Sequence, residues 1–285
     1  MRSTRIAAVA AGVALMTGLT ACGSEKADGG GGGGDEAKGG GSAVQGALAA
    51  LKRASTATEE KNSAKASGVQ KQSAVPGKTL RVKTEGAFDW SSGGIQGEAQ
   101  VTVAGRQSEV RYLSDGMYMK SAKQTGGKPW SKIDYDELAK QGPSGALMKD
   151  QAQNNNPARS VQLLLASGKV KAMGEETVRG KKTTHYTGTL TLSELVRMQS
   201  KDLSESDKKA LEKQFKQAGL EKEKIDLWID EDDLLVKKRE VAKTAKGTGS
   251  DGTVYYSDYG TEVDVQAPPA SQVSSQGPGA GAARS

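Results

Sequence analysis

TLRVKTEGAFDWSSGGIQGEAQVTV, residues 79–103, contains two runs in which apolar and polar side chains alternate. The first run ends at Trp90, the second begins at Ile95, and the SSGG between them is typical of a turn. A period of two places successive side chains on opposite faces of a strand. The stretch therefore predicts an antiparallel β-hairpin with one apolar face.

Similar short runs follow along the chain and are separated by turn residues. They predict further strands at residues 109–113, 116–120, 130–133, 169–178, 181–192, 224–230, 234–243, 252–259 and 261–265. Because most of these runs are consecutive and joined by short turns, we expect antiparallel pairing between neighbours.

Helical segments precede the strands and interrupt them. In residues 43–57, apolar side chains recur at intervals of three and four, which indicates one helical face. A second helix is predicted to follow the cap residue Asn156, to begin at Pro157 and to end at Gly168. The charged residues 192–219 predict two helices with a break between them. Strands, then helices, then strands indicate an α+β fold built on an antiparallel sheet.

The N-terminus, residues 1–21, is predicted to be a signal peptide. Arg2 and Arg5 precede an apolar run at residues 6–19. This run is shorter than the roughly 20 residues that span a bilayer. A basic start followed by such a run is typical of a secretory signal, which is removed from the mature protein.

Cys22 is the only cysteine of the chain. With Thr20 and Ala21 before it, the junction resembles a lipobox, in which the cysteine thiol receives a diacylglycerol and becomes the first residue of the mature chain. The alternative is a cysteine that happens to follow an ordinary signal peptide. Two acyl chains on Cys22 would hold the protein stably at a membrane without spanning it. We therefore predict a lipid anchor at the extracytoplasmic face of the cell membrane.

The segment after this anchor, residues 22–42, is rich in glycine and has few apolar side chains. Such a composition cannot bury enough surface to fold, so a disordered, flexible tether is predicted. One folded domain is expected at residues 43–270, because its length fits the usual size of a domain. Residues 271–285 are expected to be a disordered tail.

The composition argues against several function classes. The formal net charge is +6, but there is no compact basic run with interleaved aromatic residues, so nucleic-acid binding is not predicted. His185 is the only histidine, and a hydrogen-bonded strand residue is a better interpretation of it than a catalytic base. One histidine and a lipidated Cys22 leave too few ligands for a zinc-type site. We therefore expect no catalytic residue, no metal, no cofactor and no enzyme activity.

Short phrases in the strands and turns carry a resemblance to a known family. They are VRY at residues 110–112, GMYMK at 116–120, PW at 129–130, THYTG at 184–188, DLWID at 226–230, and YG through APP at 259–269. In these phrases and in the order of its elements, the chain resembles the LppX/LprAFG family of actinobacterial lipoproteins, which share a fold with LolA and LolB.

The resemblance implies a strongly curved antiparallel sheet, a half-barrel, whose concave face is covered by helices. It also implies an apolar cavity between the two layers, in which some members hold acylated lipids or glycolipids. The residues expected to line such a cavity here are Phe88, Val101, Leu163, Leu164, Leu165, Leu195, Met198 and Leu227. The same apolar residues could instead fill a closed core.

Two functions follow as hypotheses. The first is a membrane-anchored lipoprotein that binds an acyl lipid or glycolipid in its cavity and carries it within the cell envelope. The second is an envelope scaffold with a solid core, whose convex face or charged helices bind a protein or a cell-wall polymer. The sequence identifies no protein partner.

Overall fold

The computed structural model describes residues 39–125, 127–199, 203–244 and 247–274. The helices are α1 (Gly39–Glu60), α2 (Tyr135–Ala139), α3 (Pro143–Asn154), α4 (Pro157–Ser167), α5 (Leu192–Gln199) and α6 (Glu205–Gln217). The strands are β1 (Ser63–Val75), β2 (Lys78–Asp89), β3 (Gln96–Val103), β4 (Arg106–Leu113), β5 (Gly116–Thr125), β6 (Lys128–Asp134), β7 (Val170–Val178), β8 (Lys181–Thr191), β9 (Lys222–Asp230), β10 (Leu235–Lys243), β11 (Gly249–Ser257) and β12 (Val273–Ser274).

All of these strands belong to one curved sheet, in the order β12-β6-β5-β4-β3-β2-β1-β11-β10-β9-β8-β7. The pairing is antiparallel except between β12 and β6, which run parallel. The helices lie over the concave face, so the predicted α+β half-barrel is confirmed.

The hairpin predicted from residues 79–103 is β2 and β3. Val82 pairs with Val103 and Phe88 pairs with Gly97, so the apolar faces of the two strands coincide. A side chain at Gly97 would strike the Ala87 carbonyl oxygen and the Phe88 ring. Glycine at this position therefore lets the two backbones approach closely.

The centre of the sheet is β1, a strand that the sequence pattern did not predict. It pairs with β2 on one side and with β11 on the other, and so joins the two halves of the sheet. Its concave-facing residues are small or polar, from Ala64 and Ala66 through Gly68 to Gln70 and Gln72. Because they lack apolar bulk, the alternation that marks a half-buried strand is weak here.

Helix α4 begins and ends where its capping residues predict. The Asn156 side chain accepts a hydrogen bond from the Arg159 amide at 2.9 Å, and Pro157 occupies the first helical position. Gly168 ends the helix with φ of 66°, in the left-handed region that glycine enters at little cost. The two helices predicted within residues 192–219 are also present, as α5 and α6.

Other boundaries differ from the predictions. Helix α1 begins at Gly39 instead of residue 43, and β12 lies within the predicted tail. Helices α2 and α3 were not predicted, because few apolar residues recur along them at helical spacing. The strand predicted at residues 261–265 is wrong, since that segment joins no ladder. It instead crosses the end of β1, where Ser63 donates to the Thr261 carbonyl at 2.5 Å.

The buried apolar side chains form two large clusters on the concave face. The first lies between helices α1 and α4 and the β7–β10 half of the sheet, and it includes Leu51, Leu164 and Leu227. The second lies on the β2–β5 half and includes Trp90 and Tyr112. A smaller cluster, around Leu211, joins α3 to α5 and α6.

Replacing Leu164 by Ala is expected to lower the free energy of unfolding by about 3 kcal/mol. Leu164 is fully buried and packs against Gly188 of β8, so truncation leaves a cavity in the first cluster. Urea denaturation measures the loss. Leu165→Ala is the matched control, because Leu165 is only half-buried and should lose clearly less. Equal losses would contradict the packing of α4 described above.

Candidate functional site

A cavity of about 170 Å³ lies between the middle of the sheet and the junction of α3 with α4. Its floor is the concave face of β1 together with neighbouring residues of β2 and β11. The roof is formed by Gln151, Ala152, Asn155 and Pro157. The cavity exists because β1 presents small side chains there, so the helices and the sheet do not meet in the middle.

One end of the cavity is apolar. It is lined by Phe88, Trp90, Ile95, Tyr112 and Met117, which belong to the second cluster or pack against it. Phe88 and Tyr112 meet edge to face, with ring centroids 5.6 Å apart. The Trp90 indole N–H donates to the Glu59 carbonyl at 3.0 Å, which fixes the ring in the wall. This end offers an apolar surface on which a hydrocarbon chain can be buried.

The other end is polar, because the lining changes along β1. Gln70 and Gln72 line it, and Lys238 of β10 enters the wall at the level of Val254. Lys238 is only 2% exposed. Its ammonium donates to Ser160 Oγ at 2.9 Å and to Glu240 Oε1 at 3.4 Å. Ser160 in turn donates to the same Glu240 oxygen at 2.7 Å, so the three side chains form a connected buried network.

Glu223 of β9 adds a second carboxyl group beside this network. Burial, and then the nearby Glu240 carboxylate, raise the pKa of Glu223 to about 8, although Lys238 opposes the shift. At neutral pH the Glu223 carboxyl is therefore mostly protonated. The charges of Lys238 and Glu240 offset each other, so the group of three ionisable side chains is close to neutral overall.

Glu223 should make the protein less stable as the pH rises from about 5 to about 8. The folded state keeps a proton that the unfolded state loses above its normal pKa near 4.5, so the free energy of unfolding falls across this window. Glu223→Gln should remove this dependence and be more stable than the natural protein at about pH 8, by on the order of 2 kcal/mol. Urea denaturation at both pH values measures it.

Glu221→Gln is the control for this pH dependence, because Glu221 lies on the same chain segment and is exposed. It should leave the slope of stability against pH unchanged. A Glu223→Gln variant that differs from the natural protein equally at both pH values would contradict the raised pKa.

The residues predicted to line a cavity lie in two places. Phe88 lines this cavity, whereas Val101 is buried in the second cluster beneath it. The others belong to the first cluster or pack against it, beneath α1 and α4. They are Leu163, Leu164, Leu165, Leu195, Met198 and Leu227. These six residues pack where the helices lie on the sheet, and none of them lines the cavity described above.

The residues that build the cavity were missed because they are small or polar. Ala64, Ala66 and Gly68 give no hydrophobic signal. Lys238 is one of three consecutive basic residues in the run KKRE, and nothing in the sequence distinguishes it from the other two. The available signal was the recurrence of small residues at every second position, at Ala64, Ala66 and Gly68. Because alternate residues of a strand share one face, this pattern places the small side chains together.

His185 lies on the opposite, convex face of the sheet. Its ring stacks on Trp228, with centroids 4.3 Å apart. Its Nδ1 lies 3.0 Å from Glu176 and its Nε2 lies 3.0 Å from Asp226, so both ring nitrogens have carboxylate partners. The geometry agrees with the interpretation of His185 as a hydrogen-bonded strand residue and leaves no ring nitrogen to activate a nucleophile.

Cys22, the signal peptide and the predicted tether up to residue 38 lie outside the described residues, whereas residues 39–42 of the predicted tether belong to α1. Among the helices that the structure does describe, none has the length and apolar character needed to cross a membrane. Within the same residues, no three His, Cys, Asp or Glu side chains cluster as metal ligands would.

The fold and the cavity define the chain as an α+β half-barrel domain with a partly apolar internal site. No protein-family model matches it. Over 241 residues it is 38% identical to an uncharacterised 31.2 kDa protein of Streptomyces griseus, across 79% of this chain and 77% of that protein. It is 32% identical over 238 residues to "Putative lipoprotein SCO4650" of Streptomyces coelicolor, across 78% of this chain and 72% of the relative.

The chain belongs to the same family as these Streptomyces proteins. Among solved structures, the lipoprotein LppX of Mycobacterium tuberculosis superposes with a TM-score of 0.51 at 18% sequence identity. The superposition covers 78% of this chain and 99% of LppX, and it shows that the two share a fold. The fold implied by the resemblance to the LppX/LprAFG lipoproteins is thereby confirmed.

Proposed function

We propose that this protein is a non-enzymatic lipoprotein that binds the acyl chain of a lipid in the cavity under α3 and α4. The observation that carries the proposal is the apolar end of that cavity, with Phe88, Trp90, Ile95, Tyr112 and Met117 in its wall. Acyl chains bind mainly through apolar area removed from water, at roughly 25 cal/mol for each Å². A buried aromatic and aliphatic wall is the surface that such binding needs.

The cavity volume sets how binding proceeds. About 170 Å³ is close to the size of engineered apolar cavities of about 150 Å³ that hold one benzene. In this form the cavity holds only part of an acyl chain, so a whole chain enters when the α3–α4 junction moves away from β1. In α3, Gly145 and Leu147 are the buried residues. The movement must break the contacts of the last turn of α3 with the sheet loops, where the Ile95 amide donates to the Gln153 carbonyl at 2.8 Å and the Gln153 side chain donates to the Ser114 carbonyl at 3.1 Å.

We also propose that a lipid anchor keeps the domain beside the membrane that supplies its lipid. Cys22 carries the diacylglycerol, and residues 23–38 connect it to α1 at the extracytoplasmic face of the membrane. A relative of this chain is named as a lipoprotein, which supports the lipobox interpretation of Cys22. The domain then takes lipid from the membrane, or returns it, without any catalytic residue.

Trp90 provides a test, because it lines the cavity while Trp130 and Trp228 do not. In a variant with Trp130→Phe and Trp228→Phe, all tryptophan fluorescence comes from Trp90. A methyl palmitate brominated on its chain should quench that fluorescence in a saturable way, since bromine quenches only at short range. Absence of quenching from a folded variant would contradict the proposal.

The matched control keeps Trp228 as the single tryptophan, with Trp90→Phe and Trp130→Phe. Trp228 packs on the convex face with Val178 and Val236, on the other side of the sheet from the cavity. It should not be quenched at probe concentrations that saturate Trp90. Equal quenching of the two variants would mean that the probe collects on the protein surface.

A second candidate function is supported by a groove of about 610 Å³ on the convex face. The basic residues in its wall are Lys71, Arg81, Lys83, Arg179 and Arg239, against Glu85 and Asp251. Asp251 is already bound by Arg239, at 2.9 and 3.0 Å. We propose that this surface binds an anionic partner in the envelope, and such binding should weaken steeply with added salt.

A further inference from the structure

The buried network at the polar end of the cavity indicates which group of the lipid enters first. The network is Lys238, Ser160 and Glu240, and Lys238 is the member that lines the cavity. An ammonium group has three N–H donors. Among the described residues, Ser160 and Glu240 account for two of them. The third donor remains for an acceptor inside the cavity.

The position of Lys238 along the cavity gives the ligand a direction. Lys238 lies at the level of Val254, which pairs with Gly68 in the middle of β1. From there toward Ala64 and the Trp90 end the wall is apolar, and toward Gln72 it is polar. A ligand with one polar group and one chain therefore fits with the polar group beside Lys238 and the chain toward Trp90.

The charge of the network selects the kind of polar group. Glu240 already neutralises Lys238, and Glu223 beside them is mostly protonated at neutral pH because burial raises its pKa to about 8. A carboxylate entering this site would add an uncompensated negative charge to a buried region, which is costly. A neutral carbonyl oxygen would accept the third hydrogen bond without changing the net charge.

We propose that the cavity selects a neutral acyl ester, bound with its carbonyl oxygen accepting a hydrogen bond from Lys238 and its chain toward Trp90. This inference rests on the proposed function and specifies its ligand class. Free fatty acids and plain hydrocarbons share the chain but lack the neutral acceptor. They therefore bind less well.

The test compares three probes that share a chain length: hexadecane, methyl palmitate and palmitic acid. Each competes with the brominated ester for the variant in which Trp90 is the single tryptophan, at about pH 7. Methyl palmitate should compete at least about ten-fold better than hexadecane, as expected for a hydrogen bond from a charged donor. Palmitic acid, ionised at this pH, should compete less well than methyl palmitate, and equal competition by the two would contradict the charge argument.

The variant that removes the donor is Lys238→Met combined with Glu240→Gln. Changing both partners avoids leaving one buried charge unpaired, which by itself destabilises strongly. In this double variant the preference for ester over hydrocarbon should disappear while chain binding remains. The control is Lys237→Met, because Lys237 lies over the Trp228 ring on the convex face, 3.5 Å from its centroid. It should keep the full preference.

The outcomes separate the two proposals. Equal binding of all three probes to the protein with natural Lys238 and Glu240 overturns the ester inference and leaves the acyl cavity standing. Tighter binding of palmitic acid than of methyl palmitate overturns the charge argument and assigns the site to fatty acids. Failure of every probe to bind overturns the proposed function together with this inference. None of these three results requires the double variant to fold.

Discussion

Replacing Ala66 by Trp is expected to abolish acyl-lipid binding, with a loss of at least about 100-fold in affinity, while the domain stays folded. Ala66 lies on the concave face of β1 and lines the cavity between its partners Gly86 and Tyr256. An indole ring at this position fills space that is otherwise open to a ligand. Because the space already exists, the substitution does not force a large side chain into a packed core.

Binding is measured by titrating the brominated ester against Trp130→Phe, Trp228→Phe variants with and without the Ala66 change. Isothermal titration checks the same loss without relying on fluorescence, since the new tryptophan also emits. Lys65→Trp is the matched control, because Lys65 precedes Ala66 on β1, faces the other way and is 58% exposed. It should bind as the unchanged protein does. Unchanged binding by a folded Ala66→Trp protein would place the ligand elsewhere.

Replacing Cys22 by Ser is expected to release nearly all of the protein from the membrane fraction. In the proposed anchor the Cys22 thiol receives the diacylglycerol, and serine offers no equivalent for that step. Two acyl chains hold a protein stably at the bilayer, whereas a protein without acyl chains has only a weak electrostatic attraction to it. Membrane fractionation followed by immunoblotting measures the change.

Ser24→Ala is the control for the anchor, because it changes a nearby hydroxyl and leaves Cys22 in place. It should stay in the membrane fraction. Mass spectrometry of the N-terminal peptide tests the chemistry directly, since a diacylglycerol on Cys22 increases its mass. A Cys22→Ser protein that stays membrane-bound to the same extent would contradict the lipid anchor.

The elements that could be predicted from sequence are those whose apolar residues follow a clear period or whose ends carry caps. The β2–β3 hairpin shows an alternating pattern around the SSGG turn, and α4 is bounded by Asn156 and Gly168. In both cases the local residues and the final packing require the same structure.

The central strand β1 and the cavity could not be predicted, and the same physical reason applies to both. A cavity is made where side chains are small, and small side chains give no hydrophobic signal. Because Ala64, Ala66 and Gly68 are small, the sequence predicted neither β1 nor the cavity that it lines. The leucines of α4 carried a strong apolar signal and belong to the first cluster or pack against it, because apolar area is buried where helix and sheet meet directly.

The polar end of the cavity depends on contacts that only the fold creates. Lys238 and Ser160 are far apart along the chain, and their hydrogen bond forms because α4 lies across β10. Nor does a run such as KKRE show which of its charges faces inward. The register of β10 against β9 decides it, with Lys238 beside Leu227 on the concave face and Lys237 beside Trp228 on the convex face.

The most direct test of acyl-lipid binding is native mass spectrometry of the chain from Gly23 onward, purified from a related lipid-rich host and extracted with organic solvent. This version keeps every residue of the described sheet and its clusters. We expect one lipid for each protein molecule, released on denaturation, with an acyl ester in its structure. A folded protein that carries no lipid and takes up no added acyl ester would contradict acyl-lipid binding.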